Sequence, residues 1–265
     1  MQRDVSSRIV LDISEPADLV FAIAASSHYT LERELVTASL DGAPVEVREL
    51  RDAHGTRLHR VRSGTGRLEM AYSTHVSGTG DVAAGNEVDL LAYTRPSRYA
   101  ESDALGPTAW AEFAGITDPT EILASVSSWV GTRLAYVPGS SLPTDGAMRT
   151  LLARQGVCRD YAHLCVALLR GLNIPARVVS VYAPGLMPMD FHAVAEAWVQ
   201  DAWHAVDATT LAPRTSLVRI ATGRDSADTA FLTVASGRAD LREMSVTATA
   251  DVLPDDDVLA LAAIG

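Results

Sequence analysis

Two cysteines in 265 residues cannot build a disulfide framework, so the thiol count gives no reason to expect an oxidising compartment. There is no run of about 18 apolar residues, which excludes an ordinary membrane-spanning helix. The opening Met1-Gln2-Arg3-Asp4 leads into acidic residues and a proline, not the apolar core of a secretory signal. A cytoplasmic location without membrane attachment is therefore expected. Positive charge is also in short supply. With 22 basic against 33 acidic residues the net charge is -11, which argues against nucleic acid as a partner. GxGxxG and GK[ST] are absent, so no familiar phosphate cradle is expected. CxxC, HxH and HExxH are missing too, and His28, His54, His59 and His75 are scattered. No metal or other cofactor is expected. Internal repeats and low-complexity tracts are likewise missing.

What is present is a substantial apolar fraction, 48%, in a chain long enough for one large domain or two modest ones. Residues 1–95 read as a β-rich unit. Short strand candidates at 8–13, 45–50, 57–62, 67–74 and 87–93 are separated by Gly, Asp and Pro turns, and a short helix is expected over 18–25 after Pro16. From about 96 onward the pattern changes. Asp118, Pro119 and Glu121 form a helix-start signature ahead of Ile122, Val126, Trp129 and Val130. A short helix near 145–154 precedes a longer one from Cys158 to Gly171. Strands are expected at 176–183, 192–199 and 202–208, the last two joined by the turn Gln200-Asp201. Further strands are expected near 231–234 and 241–248, after an Arg/Asp-rich loop at 223–225. Asp255-Asp256-Asp257 reads as a solvated end.

The helix beginning at Cys158 is the element around which the chemistry gathers. Tyr161, Leu164, Cys165, Leu168 and Leu169 form its buried stripe, while Asp160, His163, Ala167 and Arg170 fall on the other, more polar side. Cys158 meets the unpaired N–H groups and positive dipole end of the first turn, which favour a thiolate. Cys165 lies about 10.5 Å further along the axis, beyond the roughly 7 Å that a disulfide spans. A thiol nucleophile needs a base, and a base needs an orienting group. His163 sits roughly 140° around the helix from Cys158 and is expected at the surface. His192 opens a strand after a loop and is the better base. In a hairpin with a two-residue turn at 200–201, His192 and Asp207 become diagonal neighbours on one face, about 7–8 Å between centres. Glu196 shares that face and is a weaker alternative to Asp207. Trp198 and Trp203 are expected in the core or cleft wall.

Gly156-Val157-Cys158-Arg159-Asp160-Tyr161-Ala162-His163-Leu164, Gly171-Leu172-Asn173-Ile174-Pro175-Ala176-Arg177, Asp190-Phe191-His192-Ala193-Val194-Ala195-Glu196 and Trp203-His204-Ala205-Val206-Asp207-Ala208-Thr209 together resemble the bacterial branch of the transglutaminase-like superfamily, with its papain-like core. Pro96-Ser97-Arg98-Tyr99 and the segment 223–230 resemble it as well. The resemblance spans roughly 93–240. It implies an α+β fold, with a cysteine helix on an antiparallel sheet behind a small β-rich domain (1–95 and 96–265). It also implies Cys158 as nucleophile, His192 as base and Asp207 as orienter. Val194 stands where relatives commonly have an aromatic, implying a less aromatic cleft wall. Tyr136 is the candidate for a second oxyanion donor. The implied chemistry is acyl transfer at an amide or peptide bond of a peptide or protein, with hydrolysis favoured. Cross-linking, deamidation and a noncatalytic binding or assembly role are the alternatives.

Overall fold

The computed structural model describes residues 1–265. In chain order it contains β1 (Gln2–Phe21), β2 (Leu31–Leu40), β3 (Ala43–Pro44), β4 (Arg48–Arg51), β5 (Arg57–Ser63) and β6 (Gly66–Ser77). Next come α1 (Glu87–Ala92), α2 (Ser102–Phe113), α3 (Pro119–Arg133), β7 (Ala135–Tyr136), α4 (Ala147–Ala153), β8 (Gln155–Gly156) and α5 (Cys158–Gly171). The chain closes with β9 (Ala176–Tyr182), β10 (Phe191–Val199), β11 (Ala202–Val206), a 3-10 turn at Arg214–Ser216, β12 (Val218–Gly223), α6 (Ser226–Thr229) and β13 (Leu232–Ala250). The fold is α+β.

The larger sheet is organised on β1. Its first part, Gln2–Ile13, pairs with β6, and its last part, Ala17–Phe21, pairs with β5. β13 runs antiparallel along nearly its whole length, from Arg3 opposite Ala250 to Phe21 opposite Leu232. Register shifts around Glu15 and Asp18 let one strand serve both partners. The helix expected over 18–25 is therefore not there. Pro16 sits in the irregular stretch of the strand, and Leu19 and Phe21 alternate inward with no exposure. The two strands expected near 231–234 and 241–248 are one, β13. Because that strand returns to β1, the sheet draws on both ends of the chain, and a cut at 95/96 runs through it. The strand expected over 87–93 is instead α1. Asn86 caps it by accepting from the Asp89 N–H at 2.9 Å, and Glu87 and Asp89 suit its positive end.

The smaller sheet has the order β11-β10-β9-β12. Gln200 and Asp201 both take positive φ, 50° and 58°, the geometry of a two-residue hairpin. Val199 then opposes Ala202, as the parity of the sequence demands. One core joins α2, α3 and α5 to Ala176, Val178, Ala195 and Ala197 of this sheet. Behind it, Tyr182, Val218, Ile220 and Ala221 pack with residues of β1, β5 and β6 in a shared second core. The Tyr182 hydroxyl donates to the Ile23 carbonyl at 2.7 Å, and the Arg219 N–H donates to the Tyr29 hydroxyl at 2.8 Å. The large sheet is thus a buttress for the small one.

Candidate active site

Cys158 is the first residue of α5, with Val157 in extended conformation as its cap. Asp160 accepts from the Val157 N–H at 2.8 Å and from the Ser141 hydroxyl at 2.9 Å, which fixes the entry of the chain into the helix. Gly156 makes room for this. A Cβ there would lie 2.7 Å from that of Asp160. Cys158 is half-buried, whereas Cys165 is wholly enclosed and burial, with Asp207 nearby, pushes its thiol upward. Only Cys158 is accessible from solvent.

His192 and Asp207 come together as parity predicts. His192 Nε2 donates to Asp207 Oδ2 at 2.8 Å, in surroundings where the two residues are 2% and 5% exposed. The other carboxylate oxygen, Oδ1, accepts from the N–H of Thr209 at 2.9 Å and from its hydroxyl at 2.7 Å. Burial alone would lower the His192 proton affinity, but the charge and hydrogen bond of Asp207, with Cys158 adding to them, raise it to about 10. Burial works the other way on Asp207, and His192 and Thr209 overcome it to hold the carboxylate low. Nδ1 of His192 is buried and makes no hydrogen bond of ordinary geometry, although the thiol is near enough to act on the ring.

The pair makes stability depend on pH with a definite sign. The His192 contribution is complete below its ordinary 6.5 and is lost as pH rises through about 10. That of Asp207 is present above its ordinary 3.8 and is lost as pH falls through the lowered folded value. The stability gap between wild type and Asp207→Asn should therefore be widest between about pH 4 and 6.5 and close toward both extremes. Urea titrations across pH check this, and a gap widest in alkali would contradict it.

Tyr136 reaches the site through a two-residue parallel ladder. Ala135 N–H donates to Arg154 O at 2.9 Å and Val137 N–H to Gly156 O at 3.0 Å, so Tyr136 lies beside Gly156. Burial and the nearby Cys158 thiol push its phenol up to about 12. The ring is still 41% exposed, so it stands at the mouth of the site. Asp190 flanks the same mouth. One of its oxygens accepts from Phe191 N–H at 2.7 Å, and burial raises its pKa.

Several sequence expectations change here. Asp160, His163, Ala167 and Arg170 are buried, not outward. α5 is enclosed on its polar side because the segments 95–99 and 223–229 close over it. His163 stacks on Tyr99 at 5.5 Å and its Nε2 accepts from Ser226 N–H at 3.1 Å. Burial lowers it to about 3, so it is a neutral core residue. Arg170 donates to the carbonyls of Arg95, Ala176 and Arg224 and to the Ser97 hydroxyl. Glu196 is not an orienter, because Arg177 and Arg219 occupy both its oxygens. Trp203 is core, with the Arg177 guanidinium 3.8 Å from its ring centre. Val194 is core also and lines no cleft. No three His, Cys, Asp or Glu side chains converge as a metal would require.

Gly131 packs against the loop that carries Asp207. It lies inside α3, where alanine would ordinarily gain about 1 kcal/mol. A Cβ there would come within 2.7 Å of the Ala208 carbonyl oxygen, next to Asp207. Gly131→Ala should therefore lower stability by roughly 1–3 kcal/mol despite its better propensity. A raised melting temperature would show that the loop yields.

Residues 107–208 match the family described as the transglutaminase-like superfamily. Over 99% of its length the chain superposes on a crystal structure from Cytophaga hutchinsonii described as a "putative cysteine protease". The match covers 96% of that chain at 31% identity, with a TM-score of 0.89. The protein belongs to the transglutaminase-like superfamily. An uncharacterised protein of Mycobacterium leprae is 28% identical over 130 residues, 46% of this chain and 47% of that one. One from Mycobacterium tuberculosis is 32% identical over 143 residues, 48% and 45% of the two chains. The chain spans about half the length of the curated relatives it matches. No helix of this superfamily member is long and apolar enough to cross a membrane.

Proposed function

We propose that the protein is a cysteine-nucleophile acyl transferase that hydrolyses an amide or peptide bond. One observation carries this reading. A buried imidazole is bonded through Nε2 to a fully satisfied carboxylate, with Nδ1 uncommitted beside a thiol at a helix N-terminus. Cys158 gives its proton to Nδ1 of His192, and the thiolate attacks the carbonyl carbon. The oxyanion gathers at the Cys158 backbone N–H, with the Tyr136 hydroxyl as second donor. Collapse expels the amine, which takes the proton from Nδ1, and leaves a thioester on Cys158. Water then loses a proton to Nδ1, attacks the thioester and restores the thiol. The unpaired, reduced thiols that this chemistry needs suit the cytoplasm.

Hydrolysis is favoured over transamidation because water is always available to the thioester. All 22 basic residues are arginine, so the chain carries no lysine ε-amine that could serve as its own acceptor. An added amine is thus cleanly distinguishable in an assay. The decisive experiment pairs iodoacetamide labelling against pH with mass spectrometry of a peptide and carboxamide library. Cys158 should label faster than a free thiol below about pH 8, and His192→Ala should remove that advantage. Cleavage or ammonia loss supports hydrolysis, and a mass gain from added lysine or cadaverine points to cross-linking. Labelling at the free-thiol rate at every pH, with no library turnover, favours a binding role.

A further inference from the structure

The residues after β13 pack against the far side of the His192–Asp207 pair. β11 is the outer strand of the small sheet, so one row of its backbone groups needs cover. The Ala205 N–H on that row donates to the Ala262 carbonyl at 2.7 Å. Ile264, 2% exposed, enters the small core that contains Val194 and Ala205. Val194 is two residues from His192, and Ala205 is two from Asp207. A small cavity behind Asp207 is walled by α3, β11 and the segment Val258–Leu261.

One side chain holds this strap. Arg214 donates to both oxygens of Asp256 at 2.9–3.1 Å, and to the carbonyls of Asp257 at 2.6 Å and Ala260 at 3.0 Å. Nη1 donates to the Ala205 carbonyl at 3.2 Å, tying the strap to the strand that delivers Asp207. The Arg214 N–H adds a bond to Asp256 at 3.0 Å. Asp256 is therefore a paired, half-buried anchor, while its neighbours Asp255 and Asp257 are exposed. Nothing in this arrangement touches Cys158 or the space in front of it.

We propose that Arg214 is a positioning residue, which clamps residues 256–264 over the edge of β11 and so holds Asp207 dry and in register with His192. The proposal rests on the functional reading above, since it presumes that the His192–Asp207 pair tunes the thiol. Water let in behind Asp207 would weaken its pull on His192, because charge interactions fall steeply with local polarity. A less basic imidazole holds the Cys158 thiolate less well. The charged or titratable groups facing the pair are Cys158 and Cys165 from α5, Tyr136 from β7, Asp190 ahead of β10, and Asp256 with Arg214 from the strap side. Only the last two change in the test.

The test measures the pH midpoint of Cys158 alkylation in wild type, Arg214→Ala, Arg214→Lys, Asp256→Asn and Asp207→Asn, alongside hydrogen exchange of residues 256–264. Arg214→Ala and Asp256→Asn should speed exchange of the strap and move the midpoint up by about one pH unit, the change expected when a charge interaction worth one pKa unit is lost. Arg214→Lys, which keeps the charge without the forked geometry, should fall between. A strap that stays protected in Arg214→Ala and Asp256→Asn overturns the clamp. An open strap with an unmoved midpoint overturns its link to the pair. Should Arg214→Ala fail to fold, Asp256→Asn decides alone. If Asp207→Asn itself leaves the midpoint unmoved, the functional reading fails; if Asp207→Asn moves it and the clamp variants do not, only this proposal fails.

Discussion

Cys158→Ala should abolish turnover of any amide or peptide substrate, with a loss of about 10⁶ in kcat, while the melting temperature stays near that of wild type. The scale follows from removing the atom that forms the covalent intermediate. The neutrality for folding follows from position: Cys158 is half-buried at a helix start, and its side chain fills no core cavity. Cys165→Ala is the opposite case. Cys165 is enclosed among the leucines of α5, so its loss costs packing and leaves the chemistry alone. Asp207→Asn falls between, at about 10⁴ in kcat by analogy with triads in which the orienting carboxylate becomes an amide. The amide keeps a hydrogen-bonding oxygen for Nε2 but withdraws the charge that makes the imidazole a strong base despite burial. Peptide hydrolysis followed by chromatography ranks the three. Turnover retained in Cys158→Ala would remove this thiol from the mechanism.

The parts of this site legible in the sequence are those set by short-range rules. Cys158 at a helix start follows from the apolar stripe of α5, and the His192–Asp207 partnership follows from hairpin parity once Gln200-Asp201 is recognised as a two-residue turn. Both need only periodicity. His163, Arg170 and Asp160 read as outward because periodicity assigns a helix one buried face, and α5 has more than one. What covers its polar side arrives from residues 95–99 and 223–229, far away in sequence, and the polar groups are satisfied by backbone carbonyls and a backbone N–H that no side-chain pattern reveals. Asp256 reads as solvated for the same reason, since its partner Arg214 lies 42 residues upstream. The strand that became α1 is a different kind of miss: Asn86 with Glu87 and Asp89 is a local cap signal outweighed by β-branched and apolar neighbours. Gly131 left only a weak trace, an isolated glycine inside a helical pattern, which costs helix stability without saying what it packs against.

Glu196→Gln should be the most damaging substitution for stability, costing about 3–5 kcal/mol, or roughly 10 °C in melting temperature for a chain of this size. Glu196 is completely buried, four residues after His192 on the same strand face, and its two oxygens hold Arg177 from β9 and Arg219 from β12. Burial opposes the charge, but the two guanidinium groups overcome it and hold the carboxyl at about 2. Its contribution is thus present above the ordinary 4.5 and is lost only as pH falls through about 2. Glutamine keeps the shape and leaves two buried cations without a counter-charge. Arg219 grips both oxygens, at 2.9 and 2.5 Å, while Arg177 bonds one through Nε and lies over Trp203. Arg177→Met should therefore cost less than Arg219→Met. Replacing all three with apolar residues should cost less than Glu196→Gln alone, because the penalty lies in stranded charge and not in lost attraction. Chemical denaturation of the four variants gives the order directly. A triple variant less stable than the single one would mean that the network stabilises the sheet beyond its own desolvation.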